Sequence, residues 1–200
     1  MKEEAQTIYR FIEFSEGLKR ELRHNWLSNG KQEDVAEHSW RMALMAVIIA
    51  PKTKFKLDLE KVFKLIAVHD LVEIEAKDVP AFRHMTSQDL AEEKNNNEVQ
   101  AIQKIKEMLD KETGEEIYNL WLEFEKRETI EAGFVNILDK LEARIQKSQQ
   151  PKEMLVEEEY NLDFVNKYTA KMTKLCMEDE FLLELNEIAK EKRLNLIEKD

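Results

Sequence analysis

The chain has 200 residues and a formal net charge of −11, which suits one domain and argues against a general binder of nucleic-acid polymers. Its four glycines and three prolines are few, so the composition favours helix. The single cysteine, Cys176, excludes a disulfide framework and fits a reducing cytoplasm. The longest apolar run, Met42 to Pro51, is too short to span a bilayer, so we expect a cytoplasmic protein that does not bind membranes.

The N-terminal residues 3–23 predict an amphipathic helix. Its inward face is predicted to consist of Ile8, Phe11, Ile12 and Leu18. A basic and aromatic stretch that contains Arg23 and Trp26 follows, and it has two interpretations. Its cations could simply favour a helix C-terminus while the tryptophan closes the core. Alternatively, Arg23 and Trp26 could form the wall of a pocket for a phosphate and a base.

The second predicted helix runs from Val35 to Ala50. Asp34 and Glu37 form the pattern of a capping box at its start. One face carries His38, with Arg41 one turn further along. A lone histidine on such a face is more often a core residue than a metal ligand, so its meaning depends on the helices that follow.

The third predicted helix, from Asp58 to Ala76, is apolar on nearly all sides over its first half, which is typical of a buried helix. It also contains His69, Asp70 and Glu73, whose spacing of three and four residues places all three on one flank. Buried carboxylates are costly unless they are paired or bind a metal. We therefore expect a cation at this flank.

The rest of the chain predicts a loop and further helices, without an alternating strand pattern of useful length. The loop spans 77–86, and the helices span 87–110, 129–149, 158–177 and 179–197, with another through Ile117 and Phe124 after a break at Gly114. We predict an all-α fold in one domain over residues 1–200, with a core at about 5–175 and the last helix as an accessory element.

Two imidazoles and two carboxylates from three predicted helices offer a complete ligand set for a divalent metal: His38, His69, Asp70 and Asp139. Mixed nitrogen and oxygen ligands favour one ion of Mn, Fe, Co, Ni or Zn over Ca. We expect one metal rather than two, because only His24 and His84 remain as further imidazoles. The alternative is a buried network of histidines and carboxylates without metal.

The order of these residues resembles that of the HD-domain metal-dependent phosphohydrolases. Three stretches resemble the 5′-deoxynucleotidase branch of that superfamily: VAEHSWRMALMA at 35–46, LIAVHDLVEIEAKDVP at 65–80 and EAGFVNILDKLEA at 131–143. RHNW at 23–26 resembles it too, and the match covers about residues 5–175. The resemblance implies an HD-domain helical bundle with C-terminal accessory helices, usually dimeric, that hydrolyses deoxynucleoside monophosphates with a transition metal.

The resemblance also implies roles for individual residues. The metal ligands would be His38, His69, Asp70 and Asp139. Glu73 would be the catalytic carboxylate that accepts a proton from water, and Asp78 a carboxylate on the substrate side. Arg23 and Trp26 would line the nucleotide pocket.

Three positions depart from that branch. Lys77 stands where a glycine is common, and Gly133 and Asn136 stand where basic residues are common. The phosphate then needs a cation from elsewhere, and the candidates are Lys77, Arg41 and Lys140.

Two other functions stay open. The chain could be a phosphohydrolase that acts on another phosphoester, such as a cyclic dinucleotide. It could also be a nucleotide-binding helical protein whose metal is only structural. Glu73 discriminates between these, because a structural site has no need of a carboxylate beyond its ligands.

Overall fold

The computed structural model describes residues 1–77, 88–156 and 170–198. Its helices are α1 Lys2–Ser15, α2 Val35–Ile49, α3 Leu59–Val68, α4 Glu73–Ala76, α5 Gln88–Glu107, α6 Lys111–Lys126, α7 Ile130–Gln149 and α8 Glu180–Glu198. A helical segment at 170–176 precedes α8, and short 3-10 helices lie at Glu16–Lys19, Ala50–Lys52 and Lys152–Met154. The predicted helical fold is confirmed. None of the described helices is long and apolar enough to cross a membrane.

A small antiparallel sheet lies between α1 and α2. Its strands are β1 Leu22–Trp26 and β2 Gln32–Asp34, joined by a turn in which Gly30 has a φ of +84°. The predicted helix over 3–23 is confirmed as far as Ser15, but its predicted end is wrong, because the chain becomes extended at residue 22. Sequence reasoning missed the strands because LRHNW and QED lack the alternation of apolar and polar residues.

The helix α1 lies on the surface and has no fully buried residue. It contacts an apolar cluster through Phe11 and Phe14, and Leu18 of the following 3-10 helix extends this contact. Ile8 and Ile12 are exposed, so the prediction that they point inward is wrong. Ile12, one residue after Phe11 and two before Phe14, lies on another side of α1.

The long helix α7 is the centre of the core, and α2, α3, α6 and α8 pack against it. Thr129 caps it by accepting a hydrogen bond from the backbone N–H of Ala132. The apolar side chains of Phe134, Leu138 and Leu141 on this helix are buried. Because α7 is covered on several sides, polar side chains on it are also taken out of water and need partners within the protein.

The predicted helix from Asp58 to Ala76 is interrupted in the structure. Its start is confirmed, because Asp58 caps α3, but α3 ends at Val68. Residues 69–72 form tight turns in which the N–H of Glu73 bonds to the C=O of Asp70 at 3.0 Å, a spacing of three rather than four residues. His69 and Asp70 therefore sit in a turn between two helices, not on the flank of one.

The predicted break at Gly114 is wrong, because Gly114 lies inside α6. The chain breaks earlier, where Asp110 caps α6 by accepting hydrogen bonds from the N–H groups of Glu112 and Thr113. A Cβ at position 114 would lie 2.3 Å from the carbonyl oxygen of Lys106. The glycine thus permits close packing of α5 against α6.

Candidate metal centre and active site

The first imidazole of the site, that of His38, projects from α2 and is fully buried. The start of α2 is held by a capping box, in which the N–H of Glu37 donates to Asp34 at 2.9 Å and the N–H of Asp34 donates to Glu37 at 3.1 Å. This confirms the predicted cap. It places His38 in the first turn of α2, directly after β2.

The structure brings together all four side chains that were predicted as ligands. One ligand atom from each of His38, His69 and Asp139 lies within 4.8 Å of the other two. Nε2 of His38 lies 3.4 Å from Oδ1 of Asp139 and 3.8 Å from Oδ2 of Asp70. Nε2 of His69 lies 3.1 Å from the same Asp70 oxygen. The four residues come from α2, the turn after α3, and α7.

Both Nε2 atoms are buried, and neither makes a hydrogen bond to any residue that the structure describes. The opposite ring nitrogens are held. Nδ1 of His69 lies 2.9 Å from the C=O of Ile66, and Nδ1 of His38 contacts a carboxylate oxygen of Glu142. Each ring therefore turns its Nε2 toward the shared space. Two such nitrogens and two carboxylates fit a divalent metal.

Electrostatics favour a charged state for His38 while the protein is metal-free. Burial and the nearby guanidinium of Arg23 lower the pKa of the imidazole. Glu142 and Asp139 outweigh both and raise the pKa to about 9. A metal that binds Nε2 must therefore displace a proton.

The two aspartates are ionised. Burial raises the pKa of Asp70, but the adjacent His69 and Arg23 outweigh it and hold the pKa well below the usual range. Burial likewise opposes ionisation of Asp139, and Lys140 together with the nearby imidazoles keeps its pKa well below the usual value. Both carboxylates thus carry the charge that a metal ligand needs.

Arg23 and Arg41 are part of a buried network of ion pairs. Nη1 of Arg23 lies 3.0 Å from Asp70, and its Nε lies 3.4 Å from Glu33. Nε of Arg41 lies 2.6 Å from Glu142, and its Nη2 lies 3.7 Å from Glu33. The two arginines therefore contact carboxylates around the cluster on the side where the small sheet lies.

Sequence reasoning missed Glu33 and Glu142. Glu142 had a usable signal, because it follows Asp139 by three residues and therefore shares a face of α7 with it. Glu33 had none, because its position depends on the pairing of β1 with β2.

Glu73, the predicted catalytic carboxylate, is the first residue of α4 and is buried. A cation lies near Glu73, namely Lys94 of α5, which also pairs with Glu98. Burial lowers the pKa of Lys94, but Glu98 outweighs it, and Glu73 and Asp70 add to the rise. Sequence reasoning missed Lys94 because only the packing of α4 against α5 brings it near the site.

The predicted substrate residues lie in different settings. Trp26 is partly buried and packs edge-on against His24, with ring centroids 4.9 Å apart. Lys77 has a φ of +71°, and its Nζ lies 2.9 Å from Glu21. Asp78 lies outside the described residues.

One cation on α7 stands out among the candidates for phosphate binding. Nζ of Lys140 lies 2.6 Å from Oδ2 of Asp139, and its side chain is 35% exposed. Asn136, one turn earlier on α7, is buried. Lys77 instead pairs with Glu21, and Arg41 pairs with Glu142.

Residues 15–179 match the family model described as the HD domain. The chain belongs to the HD-domain family. The resemblance seen in the motifs is thereby confirmed, and the ligand cluster described above lies within the matched residues.

This HD-domain chain is similar to named enzymes in sequence and to a solved structure in fold. The 5′-deoxynucleotidase HDDC2 of Homo sapiens is 31% identical over 147 residues, which are 72% of this chain and 69% of the relative. The enzyme of the same name from Danio rerio is 36% identical over 141 residues, which are 70% and 67%. A predicted metal-dependent phosphohydrolase from Magnetospirillum magnetotacticum superposes with a TM-score of 0.81 at 23% identity, covering 96% of this chain and 94% of that one. That superposition shows the fold.

Proposed function

We propose that this HD-domain protein is a metal-dependent phosphomonoesterase that hydrolyses deoxynucleoside 5′-monophosphates to deoxynucleosides and phosphate. One observation carries the proposal: two buried imidazole Nε2 atoms face two ionised carboxylates, in a chain that is 31% and 36% identical to 5′-deoxynucleotidases. Phosphate esters resist attack because their oxygens are anionic. A metal bound at such a site would place positive charge beside those oxygens.

His38, His69, Asp70 and Asp139 would hold one divalent transition metal, from among Co, Mn, Fe, Ni and Zn. When bound, the metal neutralises charge on the phosphate and lowers the pKa of a water molecule. A single metal is supported by the surroundings, because the neighbouring acidic pair Glu33 and Glu142 is already neutralised by arginines.

The chain's own residues supply the proton acceptor and the phosphate contacts. Glu73 accepts the proton of the attacking water, and Lys94 stabilises the carboxylate while it is ionised. Lys140 pairs with a phosphate oxygen, a role supported by its place beside Asp139 and its access to solvent. These contacts supply the charge that basic residues at positions 133 and 136 would provide.

The nucleoside would lie against Trp26 and Arg23, and Asp78 would accept a hydrogen bond from the 3′ hydroxyl. A pocket that is merely apolar rejects an added hydroxyl only weakly, by about 10²-fold. Discrimination against ribose therefore needs a polar contact that the 2′ hydroxyl disturbs. Asp78 is the residue to which we assign that contact.

The decisive experiment compares deoxyribonucleotides with ribonucleotides. The metal-free protein is reloaded with Co²⁺ or Mn²⁺ and assayed with dAMP, dGMP, dCMP and dUMP against the matching ribonucleotides. We expect the deoxyribonucleotides to be hydrolysed in strong preference, and Asp78→Ala to lose nucleotide hydrolysis while it retains metal. Equal kcat/KM for AMP and dAMP would remove the deoxynucleotidase assignment and leave a general phosphatase.

We also propose that the protein is a cytoplasmic homodimer. The outer face of α2 carries apolar side chains at the spacing i, i+4, i+7, i+8, all of them exposed: Trp40, Leu44, Val47 and Ile48. Such a stripe supports pairing with the same stripe of a second copy about a twofold axis. Light scattering tests this, since Trp40→Glu should give a monomer and Ile130→Glu, at another exposed apolar position, should not.

A further inference from the structure

A fully buried carboxylate, that of Glu142, lies against the imidazole of the predicted ligand His38. Both side chains have 0% exposure, and the contact joins a Glu142 oxygen to Nδ1 of His38. The other Glu142 oxygen lies 2.6 Å from Nε of Arg41. We propose that Glu142, held by Arg41, is the residue that positions His38 for metal binding. This inference rests on the metal site of the proposed function.

The argument begins with the two nitrogens of an imidazole. A neutral ring carries its proton on either nitrogen, and only the nitrogen without a proton can bind a metal. An acceptor at Nδ1 holds a proton there, so that Nε2 is the nitrogen that gives up its proton and binds the metal. Glu142 is that acceptor for His38, and it also fixes the rotation of the ring.

The two ligand imidazoles are supported unequally. His69 has the neutral carbonyl of Ile66 at 2.9 Å from its Nδ1, whereas His38 has an ionic partner. A carboxylate makes an imidazole more basic than a carbonyl does, which strengthens it as a ligand. His38 is therefore the imidazole whose affinity for metal depends most on its partner.

Arg41 is needed because a buried carboxylate is costly without a counter-charge. Its guanidinium neutralises Glu142 and fixes the position of the carboxylate. Arg41 also approaches Glu33 at 3.7 Å, and Glu33 in turn lies 3.4 Å from Arg23. Since Arg23 contacts Asp70 at 3.0 Å, a continuous series of ion pairs joins two predicted ligands on different elements.

The small sheet acquires a function from this arrangement. Arg23 lies on β1 and Glu33 on β2, and Asn25 of β1 adds a 3.1 Å hydrogen bond to Glu33. The strands therefore place the middle members of the series between α2 and the turn that follows α3. In this structure the sheet serves to orient the ligand set.

The test is metal affinity, measured without substrate. Metal-free Glu142→Gln is titrated with Co²⁺ by calorimetry and by the visible absorption of the bound ion. We expect the affinity to fall by about 10–100-fold, the usual effect of removing such a partner, and the absorption band to change. The matched control is Glu131→Gln, a buried glutamate on the same helix that pairs with Lys61 at 3.5 Å, and it should bind Co²⁺ normally.

Arg41→Gln provides a second variant. Arg41 is partly exposed, and this change leaves the Glu142 side chain itself in place. We expect a smaller loss of Co²⁺ affinity in this variant. The double variant should bind Co²⁺ no more weakly than Glu142→Gln, because both changes act through one contact.

Normal Co²⁺ affinity and absorption in Glu142→Gln would overturn the inference, as would normal affinity in Arg41→Gln if Glu142→Gln fails to fold. Either result would leave the deoxynucleotidase proposal intact. Conversely, failure to hydrolyse deoxynucleotides would not change the affinities that decide this inference.

Discussion

Arg23 donates a hydrogen bond of 3.0 Å from its guanidinium to the carboxylate of Asp70, and both side chains are largely buried. The contact joins β1 to the turn between α3 and α4. In the metal-free protein it adds positive charge beside an aspartate that is buried near a second carboxylate, that of Asp139.

The first prediction follows from that contact. Arg23→Gln should destabilise the metal-free protein by about 1.5–3 kcal/mol, the range for a hydrogen bond to a charged group. Urea unfolding measures the change. The control is Arg20→Gln, because Arg20 is exposed and its ion pair with Glu16, at 4.0 Å, is long. Such a surface pair contributes about 0–1 kcal/mol. Equal stability of the two variants would contradict the role given to Arg23.

The second prediction concerns the ligands. His38→Ala or Asp139→Ala should remove bound metal and activity together, because each change deletes a ligand. Elemental analysis and turnover of dAMP measure the two losses. Asp110→Ala removes an aspartate that only caps α6, and it should keep its metal. Unchanged metal content in His38→Ala and Asp139→Ala would end the assignment of four ligands.

The third prediction separates chemistry from metal binding. Glu73→Gln keeps the shape of the side chain but cannot accept a proton, so kcat should fall by about 10²–10⁴ while the metal is retained. Glu75→Gln, two residues further along α4, changes an exposed glutamate that pairs with Lys104 at 3.2 Å. It should leave kcat unchanged. A near-normal kcat in Glu73→Gln would favour a nucleotide-binding protein with a structural metal.

The fourth prediction concerns the backbone at Lys77, whose φ of +71° and ψ of 145° lie in a region that favours glycine. Lys77→Gly and Lys77→Ala lose the same contact with Glu21, but only glycine relieves the strain. The glycine variant should be more stable than the alanine variant by about 1 kcal/mol. At an ordinary helical site the order is reversed. Urea unfolding measures the stability of both variants. A more stable alanine variant would contradict the proposed strain at Lys77.

The fifth prediction uses Cys176, which is buried in the main apolar cluster. Burial raises the pKa of its thiol to about 11, so the reactive thiolate is scarce at pH 8. Its fraction rises about tenfold for each unit by which the pH is increased toward 11. A chromogenic disulfide reagent should therefore react slowly with the native protein at pH 8. It should react rapidly in urea, where the thiol regains its usual pKa. Equal rates in both conditions would show that the thiol is accessible in the folded state.

The parts that could be predicted from sequence are those set by local chemistry. The cap of α2 by Asp34 depends on residues three apart. The meeting of His69 with Asp70 depends on adjacent residues. The gathering of His38 and Asp139 with them was expected from the ligand atoms that they offer and from the resemblance to the HD-domain phosphohydrolases.

The missed features depend on packing between elements that are distant in the chain. Glu33 reaches the site because two short polar strands pair, and polar strands give no periodic signal. Lys94 reaches it because α5 packs on α4. The turn at residues 69–72 was missed because it contains no glycine or proline that would interrupt the helical pattern.

That turn divides the site between two elements. His69 is still bonded through its N–H to the C=O of Leu65 in α3, which packs on α7, the helix of Asp139. Glu73 belongs to α4, which packs on α5. On the proposed function, the metal ligands and the proton acceptor would therefore lie on separate elements, and substitutions in α5 would change turnover while leaving the metal ligands in place.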